Sequence, residues 1–270
     1  MKLNSCLIAY PLVSVIIPYF NRIELTRRAV SSVLAQTYSN FEIILISDAS
    51  TEDESILVEL LSNNENVVHI KLQKNAGPSR ARNEGVNSAK GEYIAFLDSD
   101  DTWEKDKLRI QIDQMLKNNW SFSHTSYYRH DTRNGQTKVV RSGLRHYIFP
   151  WPAFRCIIAT PTVVMCRDLL RNFSFRPDLR FAEDTFLWLE LSKQFTLHGI
   201  DIPLTKVFVG EQTTALNDSI HAKALRLLAI EGLAGHHILL FVHAIYRVAR
   251  KMQKKLVRDT LIYSQTDRSK

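Results

Sequence analysis

Four short apolar runs alternate with four amphipathic segments over the first 118 residues, and this rhythm constrains the fold more than any other feature of the chain. The apolar runs are residues 12–18, 41–46, 67–72 and 92–97, each bounded by polar, glycine or proline residues. Helical spacing fills the gaps between them. In 23–36, Leu25, Ala29, Val33 and Leu34 share a face. Ser50-Thr51-Glu52-Asp53 reads as a helix start, continued by Ile56, Leu57, Leu60 and Leu61. Pro78 suits the first turn of a helix through residue 87, and 104–118 predicts a helix burying Leu108, Ile112, Met115 and Leu116. Strand–helix alternation at about 30 residues per unit implies an α/β domain with a mostly parallel, Rossmann-like sheet flanked by helices on both faces. Functional residues then belong at the carboxyl ends of the strands.

Beyond residue 120 the pattern changes. Residues 120–128 read as a strand, Asn134-Gly135 as a hairpin turn into 136–141, and 161–166 as a further strand. The segment 147–154, with Phe149-Pro150-Trp151-Pro152, reads as loop, and 186–195 as a helix. From 216 to 258 the chain reads as a helical tail. It contains an apolar stretch, 238–246, followed by Arg247, Arg250, Lys251, Lys254, Lys255 and Arg258 with no acid between them. Those six charges account for most of the net charge of +7. A basic amphipathic tail of this kind suits an anionic membrane surface, or equally a helix that packs on the domain with a solvated end. Aromatic interleaving of the kind that binds nucleic-acid strands is missing, so no nucleic-acid partner is expected.

The three cysteines, Cys6, Cys156 and Cys166, have no CxxC spacing, which points to a reduced intracellular protein. The opening residues are too weakly apolar for a cleaved signal, and no run of about 18 apolar residues predicts a membrane-spanning helix.

Asp98-Ser99-Asp100-Asp101 closes the fourth apolar run. Two carboxylates one residue apart at a strand end suit a hard cation such as Mg²⁺ or Mn²⁺ shared with a diphosphate. Aspartates also favour plain turns, and Asp101 suits the cap of the next helix. Asp48 stands at another strand tip, where a carboxylate can accept an imide N–H or simply shape a turn. The segment Asn75 to Asn83, with Arg80 and Arg82, joins a helix N-terminus to cations and favours anions. Glu183-Asp184 reads as a pair of helix-start acids or as a general base. The chain contains no GxxxxGK[ST] loop, no GxGxxG after the first strand and no HExxH. His221 is a minor candidate for a further metal ligand.

Taken in order, several of these segments resemble the family 2 glycosyltransferases with the GT-A fold. They are Val13 to Arg22, Ser47 to Asp53, Asn75-Ala76-Gly77 with Ala81 to Gly85, Gly91 to Asp101, Trp103 with Lys107-Leu108, and Glu183-Asp184. The resemblance spans about residues 12–195 and implies a UDP-sugar donor. It places Pro18, Tyr19, Asn21, Asp48, Asn75, Arg82, Asp98 and Ser99 at the donor, with Asp48 at the uracil. Asp98 and Asp100 match the metal-holding DxD motif, and Asp184 matches the acceptor-activating base, with Glu183 beside it. Ser47-Asp48-Ala49 departs from the family's usual two aspartates and glycine.

The implied activity is a metal-dependent inverting transfer of a hexose. The implied acceptor is a saccharide linked through diphosphate to a polyprenol, as in bacterial O-antigen or other surface-polysaccharide synthesis. The rival readings are a sugar-phosphate nucleotidyltransferase and a non-catalytic sugar-nucleotide-binding protein. The expected organisation is a GT-A domain over 1–215, divided into a donor part (12–119) and an acceptor part (120–215), with a tail over 216–270. The expected location is cytoplasmic, on the inner face of the plasma membrane.

Overall fold

Strands β1 (Val13–Tyr19) and β2 (Phe41–Ser47) are apolar on both faces and buried along their whole length. Such strands belong at the centre of a sheet covered on both sides. The computed structural model describes residues 10–62, 64–142, 158–179 and 183–210. In it β1 lies between β2 and β4 (Tyr93–Phe96), parallel to both, and β2 pairs in parallel with β3 (Val67–Lys71). The register sets Tyr19 opposite Ser47 and Ile16 opposite Phe96, so three strands deliver their carboxyl ends to one edge.

The second half of the sheet is mixed. Among the described residues the order is β3-β2-β1-β4-β8-β6-β9-β5, with β7 paired to β6. Here β5 is Thr102–Trp103, β6 Phe122–Asp131, β7 Thr137–Val140, β8 Val164–Cys166 and β9 His198–Val209. β8 runs antiparallel to β4 and β6, while β6 and β9 are parallel. The β6–β7 hairpin turns at Gly135, whose φ of 68° suits glycine.

Period-two alternation divides the core. Val13, Val15, Ile17, Ile43 and Leu45 face helices α1 (Ile23–Leu34), α2 (Ser55–Ser62) and α4 (Lys107–Asn118) through Ala29, Val33, Leu57, Leu108 and Ile112. Ile16, Ile44 and Ile46 face the opposite side, against Ala81 of α3 (Pro78–Ser88) and Leu187, Trp188 and Leu191 of α5 (Glu183–Ser192). α3 sits very close to the sheet. A β-carbon at Gly85 would meet Ile16 Cγ2 at 2.6 Å and Ile46 Cδ1 at 2.9 Å, so only glycine allows the approach that brings Arg82 over the strand ends.

Several expectations need correction. α2 begins at Ser55, later than expected, and its start is held by Asp53, which accepts the Ser55 N–H at 2.9 Å. α4 begins at Lys107 rather than 104, and Leu116 is 41% exposed rather than buried. The expected strand 161–166 is a 3₁₀ turn, Thr160–Thr162, followed by the shorter β8, because Pro161 imposes a turn there. α5 starts at Glu183, three residues before the expected 186. β5 and β9 were not anticipated. The expected loop 147–154, Cys6, Cys156, His221 and the tail from 216 lie outside the described residues. Among the described residues, no helix is long and apolar enough to cross a membrane.

Candidate active site

The end of β1 is fixed from below. Tyr19 is buried, and its hydroxyl donates to Glu54 Oε1 at 2.6 Å and lies 2.9 Å from His69 Nε2. Ser47, where the motif departs from an acid, donates its hydroxyl to the same Glu54 oxygen at 2.7 Å, and Lys71 pairs with the other oxygen. Burial pushes the Glu54 carboxyl up, but bonds from Lys71, Tyr19 and Ser47 outweigh it and hold the pKa at about 2. Burial and then Glu54 push the Tyr19 phenol well above its ordinary value. The Tyr19 side chain therefore supports the strand end from within, and Pro18 is buried in β1 opposite Ile46. Phe20, within the matched stretch Val13 to Arg22 but not among the expected donor residues, is 45% exposed at this edge.

Asn21 and Arg22 follow, both left-handed with φ of 54° and 59°. That conformation costs a non-glycine residue about 1–2 kcal/mol. The turn is held by Asn21 Oδ1, which accepts the Thr51 N–H at 2.9 Å, and by Glu52, which accepts the Ile23 N–H at 3.2 Å. Asp48, 4% exposed, accepts the N–H of Ala76 on one oxygen and of Gly77 on the other, each at 2.8 Å. Asp48 thus fixes the loop leading into α3, while each of its oxygens keeps one acceptor position. Asn75, just before that loop, is exposed.

Asp98, Ser99, Asp100 and Asp101 leave β4 in a turn closed by the Asp101 N–H on Asp98 O at 3.0 Å. Asp101 is buried and accepts the Phe208 N–H at 2.9 Å. It therefore anchors β9 and does not cap α4. Asp100 meets two arginines: Arg22 Nη1 lies 3.3 Å from its Oδ2, and Arg28 Nη2 donates to its backbone oxygen at 2.7 Å. Burial and then the neighbouring Asp98 raise the Asp100 pKa.

The decisive contact joins this turn to the start of α5. Arg82 Nη2 lies 2.7 Å from Asp98 Oδ1, and Arg82 Nη1 lies 3.1 Å from Glu183 Oε1. Burial would lower the Arg82 pKa, but Asp98 and Glu183 overcome it and keep the guanidinium charged. Burial, with Asp184 adjacent, raises the Glu183 pKa against the pull of Arg82. Asn83 secures the same helix by bonding both backbone groups of Phe175, at 2.8 and 3.1 Å. Asp184 takes a different partner, the Thr160 hydroxyl, at 3.2 Å from Oδ2. Glu183 is thus committed to an arginine, whereas among the described residues Asp184 is engaged by hydroxyl and backbone donors.

Asp98 and Asp100 offer hard oxygen donors of the type Mn²⁺ and Mg²⁺ prefer. Among the described residues, no group of three or more His, Cys, Asp or Glu side chains is arranged to hold a metal ion. A cation here would complete its shell with phosphate oxygens and water, as these ions commonly do.

The model of the family described as Glycosyl transferase family 2 matches residues 14–178. The chain belongs to that family. An uncharacterized glycosyltransferase of Rickettsia conorii is 41% identical over 207 residues, covering 76% of this family 2 chain and 34% of that protein. The chain therefore spans about a third of the length of that relative. WfgD of Escherichia coli, a UDP-Glc:alpha-D-GlcNAc-diphosphoundecaprenol beta-1,3-glucosyltransferase, is 36% identical over 193 residues, covering 70% of this chain and 73% of WfgD. Among solved structures, S. aureus TarS 1-349 in complex with UDP-GlcNAc superposes with a TM-score of 0.67 at 22% identity, covering 81% of this chain and 66% of that one. The architecture of this family 2 chain is the GT-A fold.

Proposed function

We propose that the protein is an inverting hexosyltransferase that moves a sugar from UDP to a saccharide carried on polyprenyl diphosphate, in the assembly of a bacterial O-antigen or similar surface polysaccharide. The observation that carries this reading is the single buried guanidinium of Arg82, bonded to Asp98 of the donor motif and to Glu183 beside the candidate base. The names of WfgD and WfaP, both glucosyltransferases acting on GlcNAc-diphosphoundecaprenol, support the donor and acceptor class.

In this reading Asp184 takes the proton of an acceptor hydroxyl as its oxygen bonds to the anomeric carbon and the bond to UDP breaks. Phe20 offers an exposed ring on which a base can stack, and Asp48 keeps acceptor capacity for an imide N–H. Asp98 and Asp100 would hold Mn²⁺ or Mg²⁺, which supplies charge neutralisation for the departing diphosphate. The basic stretch 247–258 supports association with the anionic cytoplasmic leaflet, where a lipid-linked acceptor resides. Flotation with and without anionic lipid tests that association, and failure to float with anionic vesicles removes it.

The test of the activity is a donor screen. UDP-Glc, UDP-Gal and UDP-GlcNAc are each incubated with GlcNAc-diphospho-polyprenol, and the product is read by mass. Transfer of one hexose supports the proposal. UDP binding without transfer from any donor would leave a binding module instead.

A further inference from the structure

The Thr160–Thr162 turn is fastened from beneath by side chains that the transfer itself does not use. Trp103 Nε1 donates to Pro161 O at 2.8 Å, and Thr205 Oγ1 donates to the same oxygen at 3.2 Å. Gln111 Nε2 reaches Thr162 O at 3.1 Å and Ser123 Oγ at 3.0 Å. Under this layer lies Lys107, fully buried, whose Nζ donates to Gln111 Oε1 at 2.6 Å and sits 4.1 Å from the centre of the Trp103 ring. Its partners are an amide oxygen and a ring face rather than a carboxylate. Burying an amine without a carboxylate partner is costly, and burial pushes the Lys107 ammonium well below its ordinary pKa.

The other end of that network shows what geometry it serves. Thr160, 4% exposed, points its hydroxyl at Asp184 Oδ2, while Asp184 Oδ1 accepts the N–H of Thr185 at 2.6 Å. Oδ1 also accepts the Thr185 hydroxyl at 3.3 Å, so both carboxylate oxygens are held, which fixes the rotation of the group and leaves the free acceptor position on Oδ2, beside Thr160. We propose that Thr160 is a positioning residue for Asp184, and that Trp103, Lys107 and Gln111 form the scaffold that sets the Thr160–Thr162 turn where this contact can be made. The proposal rests on the reading of Asp184 as the acceptor-activating base.

The experiment compares Thr160→Val, which removes only the hydroxyl, with Thr160→Ser, which keeps it. Both are made in the full chain and in an Asp184→Asn background. Loss of a hydrogen bond to a charged group predicts that Thr160→Val lowers kcat about ten- to a hundredfold. The KM for donor, the UDP affinity and the melting temperature should stay at wild-type values, and Thr160→Ser should recover kcat. In the Asp184→Asn background Thr160→Val should cost nothing further, because its target is gone. An unchanged kcat in Thr160→Val beside a disabled Asp184→Asn overturns the Thr160 inference alone. A fully active Asp184→Asn overturns the base assignment and the inference with it. A joint fall in kcat, donor affinity and melting temperature, not rescued by serine, overturns the positioning role in favour of a structural one.

Discussion

Arg82 and Glu183 stand 101 positions apart in the chain, yet the guanidinium of one lies 3.1 Å from the carboxylate of the other. The same guanidinium holds Asp98 at 2.7 Å, so a single buried cation sets the spacing between the strand turn and α5. Arginine can do this because its rigid planar fork holds two acceptors at a fixed spacing, whereas a lysine ammonium is a point charge with rotatable donors on a flexible stem. Arg82→Lys should therefore fold but lose about a hundredfold in turnover through misplacement of the two acids. Arg82→Ala leaves two part-buried carboxylates unpaired and should cost about 3–5 kcal/mol of stability. Product formation and thermal melting check both, and near-normal turnover in Arg82→Lys would end the argument for a shared cation.

The central strands were legible because burial on both faces leaves unbroken apolar runs such as Val15-Ile16-Ile17 and Ile43-Ile44-Leu45-Ile46. β9 was not. Asp201, Pro203 and Lys206 interrupt its pattern, and its register with β6 shifts at Thr125/Ser126 and Ser126/Tyr127 to accommodate it. In the site, the acids at 98, 100, 183 and 184 were legible as types at strand and helix ends. Their sorting was not. That Glu183 pairs with Arg82, that Asp101 anchors Phe208, and that Glu54 takes the Ser47 hydroxyl all depend on contacts between distant segments. Glu54 follows the expected helix start Ser50 to Asp53, and nothing local marks it as the hub of Tyr19, Ser47 and Lys71.

Asp184 is free of any ion pair among the described contacts, which separates it from Glu183. A positioned base contributes typically about 10²–10⁴-fold to rate. Asp184→Asn keeps size and most hydrogen bonds, so UDP affinity by calorimetry should match wild type while turnover falls at least about a hundredfold. Glu183→Gln should instead weaken the Arg82 bridge and lower the melting temperature. If Asp184→Asn turns over normally, the two acids must exchange roles or leave the mechanism.

Glu54 links stability to pH. Its carboxyl sits at about 2 in the folded chain against an ordinary 4.5, so the ionised form favours folding. That stabilisation is fully present above pH 4.5 and is lost as pH falls toward about 2. Because the Lys71 partner is largely exposed and screened, the contribution is about 2 kcal/mol rather than the full worth of the shift. Glu54→Gln should accordingly be less stable than wild type in urea at pH 6, with the gap closing as the titration is repeated at lower pH. A gap that stays constant from pH 6 to pH 2.5 would show that the carboxylate charge is not what stabilises this corner.

Arg22 occupies the Asp100 carboxylate that the proposed function would give to a divalent cation. The pair is part-exposed, with side chains 37% and 23% accessible, whereas in the Arg82–Asp98 contact the arginine itself is buried. An ion pair of that exposure is worth about 0.2–1 kcal/mol, so a cation arriving at Asp100 must overcome a small but definite competitor. Arg22→Ala should therefore bind Mn²⁺ about two- to fivefold more tightly than wild type in the absence of nucleotide, read by the loss of the free-ion electron paramagnetic resonance signal. Asp100→Asn should bind it more weakly. In the same preparations, chelator should abolish hexose transfer by the wild-type protein, and Mn²⁺ or Mg²⁺ should restore it. Undiminished transfer in chelator would remove the metal from this site, whereas a lower Mn²⁺ affinity in Arg22→Ala would mean that the arginine assists the cation rather than competing with it.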